Sequence, residues 1–356
     1  MGFWNRSSCA RFVGALGIIT ITGCATNQAP TPLAFIGSTS SVTVSYTAKT
    51  MPPIALPRAQ VRPVSTAFPP LRNELPLPTP GDATPDVRVM SFNCRVSTLF
   101  DLHNTWGLRK GLLLDTIQNF NPDLLGTQEC VASQSDYLRA KLDGYDFVGA
   151  GRDDGKRDGE MCGVFFRADK FQKLDAGHFW LSQSPSKPGS KGWGAFFPRM
   201  VTWVKLQPRD GGTPFVWFNT HLDAFSSRAR LNGARLLRAR MAAIAGTLPT
   251  LVTGDFNADA GSDPYRTLIG PAGTARMTDT FRAVNPSPVK GDGTRHAFRG
   301  GCGGPRIDWI LASSAAFDTV DADINHTKSG LIYPSDHFPV TAVLRPLAAP
   351  ALASVE

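Results

Sequence analysis

The feature of this sequence that most constrains its fold is a short apolar segment ending in a polar residue, which occurs six times. Each apolar segment is typical of a buried strand, and intervening helical or loop segments give the order of an α/β sandwich. Strand ends favour polar residues, which explains any single case but not six drawn only from Asn, Asp, Glu and His. The six positions are Asn93, Glu129, His221, Asp255 with Asn257, Asp308, and Asp336 with His337.

The segment Thr253–Asn257 indicates the chemistry that such positions can perform. A short apolar run stops at Gly254, and continued extension would project the side chains of Asp255 and Asn257 from the same face. A carboxylate beside a carboxamide can hold a water and orient a phosphate or a metal ion. The segment alone is equally consistent with a simple loop, so the enzyme interpretation depends on the other five positions.

Residue periodicity predicts the elements that carry these positions. Alternating apolar residues indicate strands, and apolar residues at helical spacing indicate helices. The arginines of the helix at 228–245 favour a solvated face over a nucleic-acid-binding stripe, and both interpretations stay open. Strands are predicted at 87–93, 124–129, 145–149, 159–166, 201–206, 215–219, 251–254, 306–311 and 340–344, and helices at 106–120, 133–142, 228–245 and 264–268.

The first residues indicate a targeting segment. Arg6 and Arg11 flank the start of an apolar run, 12–21, that is too short to span a bilayer. The run ends in the sequence ITGC, which resembles the lipobox of bacterial lipoproteins; an ordinary signal peptide is the alternative. We therefore predict removal of residues 1–23, lipidation of Cys24, and export to the periplasmic or outer-membrane face of a bacterial membrane.

Composition divides the rest of the chain into three parts. Residues 24–85 are rich in proline and poor in periodicity, which predicts an extended tether. Residues 86–346 are predicted to form the globular domain and residues 347–356 a loose tail. The overall hydrophobic content of 42% supports a substantial core and excludes global disorder.

The charge of the chain favours anionic partners. The formal net charge is +8 and the pI is near 9.3; losing residues 1–23 removes two arginines and no acid, which lowers the charge to +6. Phosphate esters, nucleic acid and anionic lipid surfaces all fit such a balance. The six cysteines show no spacing typical of a zinc site.

Taken together, the motifs resemble those of the metal-dependent endonuclease/exonuclease/phosphatase superfamily, which includes pancreatic-type DNases, inositol polyphosphate 5-phosphatases and neutral sphingomyelinases. The similarity covers roughly 87–344. Segments 151–155, 179–182 and 192–193 further resemble a bacterial branch related to nocturnin and the deadenylases. The ordered motifs are SFN ending at Asn93, QE ending at Glu129, NTHLD starting at Asn219, GDFN starting at Gly254, RIDWI starting at Arg306 and SDH ending at His337.

This resemblance implies a fold and a metal. The implied fold is α/β (α+β) and DNase-I-like: a two-layer β-sandwich of mixed sheets flanked by helices, with four layers in the order α/β/β/α. Glu129 would be the principal Mg²⁺ ligand, assisted by Asn93 and Asp336. A site of oxygen ligands that retains several waters suits Mg²⁺ or Mn²⁺.

The resemblance also implies catalytic roles. Asp255 would orient and deprotonate the attacking water, and Asn257 would position that water or a phosphate oxygen. His221 and His337, in protonated form, would stabilise the charge that builds on the phosphate. Asp308 would hold His337 in the correct tautomer.

A second group of residues has weaker support. Residues that line the cleft in the resembling branch are matched here by Asp154, Glu160, Arg199 and Asp223. Surface or structural roles for these four are equally consistent with the sequence. Tryptophans at 180, 193 and 309 could stack on a base or sugar, although core positions are the commoner role.

Two cysteines depart from the family pattern. Cys94 and Cys130 directly follow Asn93 and Glu129, at positions that are commonly aliphatic in the family. A Cys94–Cys130 disulfide formed after export is one hypothesis, and buried free thiols are the alternative. A pairing of Cys162 with Cys302 has less support.

These observations predict an exported, membrane-anchored, Mg²⁺-dependent hydrolase of phosphate esters. The alternatives are an extracellular nuclease, a phospholipase or sphingomyelinase acting at the membrane, and, outside enzymes, a catalytically silent binding module on the same fold. Both monoester and diester substrates are consistent with these motifs.

Overall fold

A computed structural model describes residues 85–270, 276–287 and 291–347, and every structural statement below refers to these residues. The predicted signal segment, Cys24, nearly all of the tether and all but one residue of the tail lie outside them. Within the described ranges, none of the helices has the length and apolar character needed to cross a bilayer.

The described chain forms two mixed β-sheets of six strands each. Only the central pair of each sheet is parallel, β1 with β2 and β7 with β8. The first sheet has the order β11 (Phe317–Ile324), β12 (Val340–Pro346), β1 (Val87–Asn93), β2 (Leu124–Gln128), β4 (Val164–Arg167) and β3 (Tyr145–Val148). The second has the order β5 (Phe171–Trp180), β6 (Met200–Pro208), β7 (Phe215–His221), β8 (Thr250–Asp255), β10 (Asp308–Ser313) and β9 (Met277–Asp279).

Helices cover the outer face of each sheet. Leu113 of α1 and Leu138 of α2 pack in one cluster with Met90 of the first sheet. Leu237 of α3 packs in another with Phe218 of the second sheet. The helices are α1 (Trp106–Phe120), α2 (Ala132–Lys141), α3 (Ser227–Ala245), α4 (Asp263–Ile269) and α5 (Thr280–Val284).

The inner faces of the sheets pack against each other. Val89 and Leu124 of the first sheet share a buried cluster with Trp217 and Leu251 of the second. Because side chains alternate along a strand, Val89 faces this inner layer while its neighbour Met90 faces the helices. The predicted four-layer α/β/β/α sandwich is therefore confirmed.

Edge elements are where sequence and structure differ most. Strands β5, β9 and β11 and helix α5 have no counterpart among the predicted elements, and the predicted strand 159–166 begins only at Val164. Strands β5 and β9 lie at sheet edges, as does β11. Much of β5 and β11 is exposed, so their polar residues hide the apolar alternation that identifies central strands.

All four cysteines of the described region are free thiols. Cys94 and Cys130 are fully buried, and burial together with the neighbouring Cys130 raises the pKa of the Cys94 thiol well above its usual value. The structure thus shows the buried-thiol alternative rather than either disulfide.

A buried polar network joins the two sheets at their centre. The side-chain amide of Asn219 donates to the carbonyl oxygens of Thr127 and Gly163, at 2.8 and 2.9 Å. Its oxygen accepts from Gln128 Nε2 at 2.7 Å and from Thr253 Oγ1 at 3.0 Å. One side-chain amide of β7 therefore satisfies groups from both layers and fixes how the sheets face each other.

The close approach of the sheets requires a residue without a side chain at position 126. A Cβ added to Gly126 would lie 2.3 Å from Thr253 Oγ1, so Gly126→Ala forces the layers apart and is expected to lower the free energy of unfolding by about 1–3 kcal/mol or more. Chemical denaturation measures this change.

The matched control is Gly111→Ala. Gly111 lies within helix α1, and a Cβ there meets no atom within 4 Å. This exchange should raise stability by about 0.5–1 kcal/mol, because alanine favours the helix. Equal stability changes in the two variants would contradict the tight inter-sheet contact.

Candidate active site

Strand register places three of the predicted site residues side by side. Asp255 ends β8, and its direct partner in the parallel neighbour β7 is His221. On its other side, the antiparallel partner of Asp255 in β10 is Asp308. Asp255 is therefore flanked in one layer by a histidine and a second acid, all buried.

The first sheet contributes the opposite wall. Asn93 ends β1, and its Nδ2 donates to Asp255 Oδ2 at 2.9 Å and to Glu129 Oε1 at 3.0 Å. The other Glu129 oxygen accepts from the backbone N–H of Val96 at 3.1 Å. Asn93 thus connects the acid of one sheet to the acid that follows β2 in the other.

The ionisation of the two acids differs. Burial and the nearby charge of Asp308 raise the pKa of Asp255 to about 7. Burial also opposes ionisation of Glu129, but the charge of His337 and the hydrogen bond from Asn93 outweigh it and lower the pKa of Glu129. Glu129 is therefore held as a carboxylate, whereas Asp255 has the character of a group that exchanges protons near neutrality.

His337 is held by an acid on the second sheet. Its Nδ1 lies 2.9 Å from Asp308 Oδ2, and its Nε2 lies 3.9 Å from Asp255 Oδ2. Burial opposes its charged form, but Asp308 and Asp255 outweigh burial and raise the pKa of His337 to about 10. His337 is accordingly an imidazolium at neutral pH, with Nε2 directed at Asp255.

His221 behaves differently. Burial and the charges of Arg199 and Arg152 lower the pKa of His221 well below its usual value, so it is neutral, and the expectation of a protonated His221 is corrected. Its Nε2 lies 2.9 Å from the amide nitrogen of Asn257, which makes Nε2 the acceptor and places the proton on Nδ1.

The backbone bends sharply where two of these side chains begin. Glu129 has φ 62° and Asn257 has φ 47°, both in the left-handed region. A buried strand leads into each residue, and the turn directs its side chain toward the centre.

The oxygen groups of the site fit a divalent cation. Ligand atoms of Glu129, His221 and Asp255 lie within 4.8 Å of one another, as do those of Asp255, Asp308 and His337. Asp308 and Asp336 each keep one buried carboxylate oxygen without a hydrogen-bond partner. Asn93 Oδ1 accepts only from the backbone N–H of Arg95 among the hydrogen bonds of the structure, which leaves it a second lone pair.

Three of the four residues with weaker support adjoin the centre. Glu160 and Arg199 line a cavity together with Glu129 and His221. Asp223 Oδ2 lies 3.8 Å from Arg199 Nε. Burial and the charge of Glu129 raise the pKa of Glu160 to about 7.

The fourth, Asp154, has a local role. Its carboxylate accepts from the backbone N–H groups of Lys156 and Asp158 in its own loop. Of the three tryptophans, Trp180 is buried and donates to the Arg152 carbonyl, and Trp309 is buried and stacked on Phe256. Only Trp193 is partly accessible.

Sequence reasoning missed two arginines at the site. Arg152 forms two hydrogen bonds with Glu160, at 2.6 and 2.8 Å, and lines the same cavity; it lies in the segment 151–155 that had already been noted. Arg109 is fully buried and donates to the carbonyl oxygens of Asn104, Cys94, Arg95 and Pro334. An arginine on the buried face of a predicted helix was the available signal for Arg109.

Comparison with known proteins identifies the family. The model of the endonuclease/exonuclease/phosphatase family matches residues 90–337, a span that contains every residue of the site. The chain belongs to this family. The comparison with curated protein sequences gives no significant match.

Solved structures of bacterial family members are similar over most of the chain. A family protein from Bacteroides vulgatus is 34% identical, with a TM-score of 0.68, over 74% of this chain and 100% of that one. A mannosyl-6-phosphatase from Bacteroides thetaiotaomicron is 33% identical, with a TM-score of 0.65, over 72% of this chain and 99% of that chain. The human nocturnin catalytic domain shares the fold. It is 21% identical, with a TM-score of 0.58, over 74% of this chain and 94% of that chain.

Arg109 is expected to hold the site together. Its guanidinium joins the loop after Asn93 to the loop before Asp336, so Arg109→Met leaves several buried carbonyls without donors and should cost at least about 3 kcal/mol of stability. Chemical denaturation measures the cost. Arg345→Met is the control: this arginine is exposed and pairs with Asp86 at the opposite end of β1, and little change is expected.

Proposed function

We propose that this family member is a divalent-metal-dependent hydrolase of phosphate esters, with Mg²⁺ as its cation and Asp255 as the base that activates water. The observation that carries the proposal is the position of Asp255 Oδ2. It lies 2.9 Å from Asn93 Nδ2, 3.5 Å from His221 Nε2 and 3.9 Å from His337 Nε2. One carboxylate oxygen therefore faces a cationic donor, a neutral histidine and the amide that contacts Glu129.

Phosphate esters resist attack because their negative charge repels a nucleophile. A bound divalent cation, held by Glu129 with Asn93 and Asp336, would withdraw charge from a phosphate oxygen. The imidazolium of His337 supplies a further positive charge that Asp308 keeps in place. Asn257 donates its two amide hydrogens to His221 and to the Leu222 carbonyl, so its Oδ1 is the group that would orient the water by accepting a hydrogen bond from it.

The proposed reaction consumes one water. Asp255 takes a proton from the water, and the water oxygen bonds to phosphorus as the bond from phosphorus to the leaving oxygen breaks. The leaving oxygen then gains a proton from solution. Because the groups are fixed before substrate arrives, positioning and charge compensation supply most of the acceleration.

A nuclease activity is the second candidate, and a basic groove favours it. Arg228 and Arg235 of helix α3 line a groove that reaches Asn257. An extended phosphodiester backbone could follow such a surface. The groove also contains Asp259 and Asp263, which weakens its attraction for a polyanion.

We also propose that the protein is exported and anchored by a lipid on Cys24. The support is the charged start, the short apolar run and the ITGC sequence of residues 1–24. Expressed with its own leader in a bacterium, the wild type should fractionate with membranes, whereas Cys24→Ala should not carry the lipid. An unmodified Cys24 in the mature wild-type protein, seen by mass spectrometry, would exclude the anchor.

Asp255→Ala and His337→Ala should each lower metal-dependent phosphoesterase activity by at least about 10²-fold, because each removes a group that acts on the reacting atoms. Hydrolysis of p-nitrophenyl phosphate and bis-p-nitrophenyl phosphate, with Mg²⁺ and with a chelator, measures the loss. Chelation of the wild type should cause a comparable loss.

The control for these variants is Asp318→Ala, in the exposed part of edge strand β11. Its activity should equal that of the wild type. Full activity in Asp255→Ala would remove Asp255 as the base, and a wild type that neither hydrolyses these esters nor binds Mg²⁺ or Mn²⁺ would indicate a catalytically silent binding module.

A further inference from the structure

Most of the large apolar side chains that are exposed in the described part of the chain lie at one end of the sandwich. Eight of the twelve are in loops at that end, and all four exposed phenylalanines are among them. Single exposed apolar residues are ordinary, but a concentration of them on one face marks a binding surface. These eight residues form the apolar rim: Leu99, Phe100, Leu102, Phe196, Phe197, Phe225, Leu331 and Ile332.

Strand order places the apolar rim at the active-site end. Its first loop follows Asn93 at the end of β1, and its third follows His221 at the end of β7. The second joins β5 to β6 beside that end of β7, and the fourth contains Asp336 and His337. The rim and the catalytic centre therefore face the same way. The four loops are 94–105, 181–199, 222–226 and 325–339.

The apolar rim consists of two pairs of neighbouring loops. The rings of Phe196, Phe197 and Phe225 connect the second and third loops, with centres 5.1–6.5 Å apart. Arg109 connects the first and fourth loops through the carbonyl oxygens of Arg95 and Pro334.

The most exposed members of the apolar rim belong to the first and fourth loops. Leu99, Phe100 and Leu331 are 87–92% exposed. Side chains as exposed as these gain almost nothing from burial in the folded chain. The stability of the sandwich therefore does not account for their apolar character, whereas a partner that covers them would.

The charges of the four loops favour an anionic partner. Among their Lys, Arg, Asp and Glu side chains, the exposed ones are Lys187, Lys191 and Lys328. The acids are withdrawn from the surface: Asp223 and Asp336 are buried, and Asp101 pairs with Arg95 at 2.8 Å. The rim therefore combines exposed apolar side chains with positive charge and carries no exposed carboxylate.

This combination distinguishes between possible partners. Protein interfaces are rich in aromatic residues but depleted in lysine. A second copy of the chain would bring lysines against lysines. An anionic bilayer accepts apolar side chains at the boundary between headgroups and acyl chains, and its phosphates attract lysines. The apolar rim fits that surface best.

The position of the predicted tether is compatible with such contact. The chain enters β1 at Val87, at the end of the sandwich away from the catalytic centre. A flexible chain as long as residues 24–85 spans about 40–50 Å on average. The seven residues of β1 span only about 23 Å. A domain anchored through Cys24 can therefore turn its active-site end toward the membrane.

We propose that the apolar rim is a docking surface for an anionic phospholipid bilayer. Its side chains enter the boundary between headgroups and acyl chains, and Lys187, Lys191 and Lys328 pair with lipid phosphates. The active-site end of the domain then faces the bilayer. This attachment is additional to the lipid on Cys24 and does not depend on the phosphoesterase function proposed above.

The test measures binding of the unlipidated mature chain, residues 24–356, to vesicles by sedimentation. The chain is produced without leader or lipid, because a lipid would bind vesicles by itself. Vesicles of equimolar phosphatidylglycerol and phosphatidylcholine are compared with vesicles of phosphatidylcholine alone. The wild type should bind the mixed vesicles at least about tenfold more tightly, and this preference should weaken as salt is added.

The apolar contribution is tested with Phe100→Ser combined with Phe196→Ser. This variant should bind the mixed vesicles at least about tenfold more weakly, because two rings no longer leave water on docking. The matched control is Leu174→Ser combined with Val320→Ser. Both control residues are exposed apolar residues of edge strands β5 and β11, outside the rim, and this variant should bind like the wild type.

The charge contribution is tested with Lys187→Gln combined with Lys191→Gln. This variant should lose about tenfold in binding to the mixed vesicles and little in binding to phosphatidylcholine alone. The matched control is Lys141→Gln combined with Lys173→Gln. It removes the same charge at the end of α2 and in the half of β5 away from the site, and it should bind like the wild type.

Four results would overturn the proposal. The first is a wild type that does not bind the mixed vesicles. The second is equal binding by rim variants and their controls, which would assign binding to another part of the chain. The third is an effect of the phenylalanine pair or the lysine pair without the other. The fourth is a dimer in sedimentation analysis that the phenylalanine variant abolishes while vesicles are not bound, which would assign the rim to a second copy.

The outcome is separable from that of the proposed function. Vesicle binding is measured without substrate or metal, so a protein that docks but hydrolyses no ester contradicts the phosphoesterase function alone. All the substituted side chains are exposed, and thermal unfolding verifies that each variant is folded. The rim variants should also hydrolyse p-nitrophenyl phosphate in solution like the wild type, because none of these residues belongs to the proposed machinery.

Discussion

The structure depends on a polar contact buried between two apolar layers. Asn219 and its partners Gln128 and Thr253 lie where the central parallel pairs of the two sheets face each other. Apolar packing alone allows two sheets to slide, because it has no preferred direction. Directional hydrogen bonds that must be satisfied in a dry interior allow only one alignment, so this network sets which strand ends meet.

That alignment explains how so many ionisable groups share a small volume. Asn93, brought from the first sheet, donates to acids from both layers. Asp308 and His337 form an ion pair that offsets the charge of Asp255. Burying any one of these acids or bases alone would lower the stability of the fold. For each of them, a charged or hydrogen-bonding neighbour from another strand offsets that cost. The site is therefore a property of the sheet alignment and not of any single motif.

Much of this was predictable from the sequence, for identifiable reasons. Strand β1 and helix α1 have the predicted bounds because β1 is a short apolar segment that is buried, and α1 carries apolar residues at helical spacing along the side that packs on the sheet. Asp255, His221 and Asp308 were recognisable because each ends or begins an apolar strand. The direct pairing of these three residues is a matter of register, which the sequence does not specify between strands distant in the chain.

The protonation state of His221 and the roles of Arg109 and Asp154 depend on neighbours in three dimensions, and the sequence carries little signal of them. The low pKa of His221 comes from burial and from two arginines that lie more than twenty residues away in the chain. Arg109 lies in an amphipathic helix, where an arginine ordinarily indicates the solvent side, but here its guanidinium binds carbonyls of two loops. Asp154 matched the pattern of a cleft residue and instead stabilises its own loop.

The left-handed backbone at Glu129 and Asn257 has a consequence for how this family can diverge. Glycine adopts that conformation without strain, whereas glutamate does so at a cost on the order of 1 kcal/mol. Substitutions selected only for stability would therefore tend to replace these residues. The fold would stay intact, and the candidate site would lose these side chains. Glu129 and Asn257 are thus residues that the fold itself does not require at these bends.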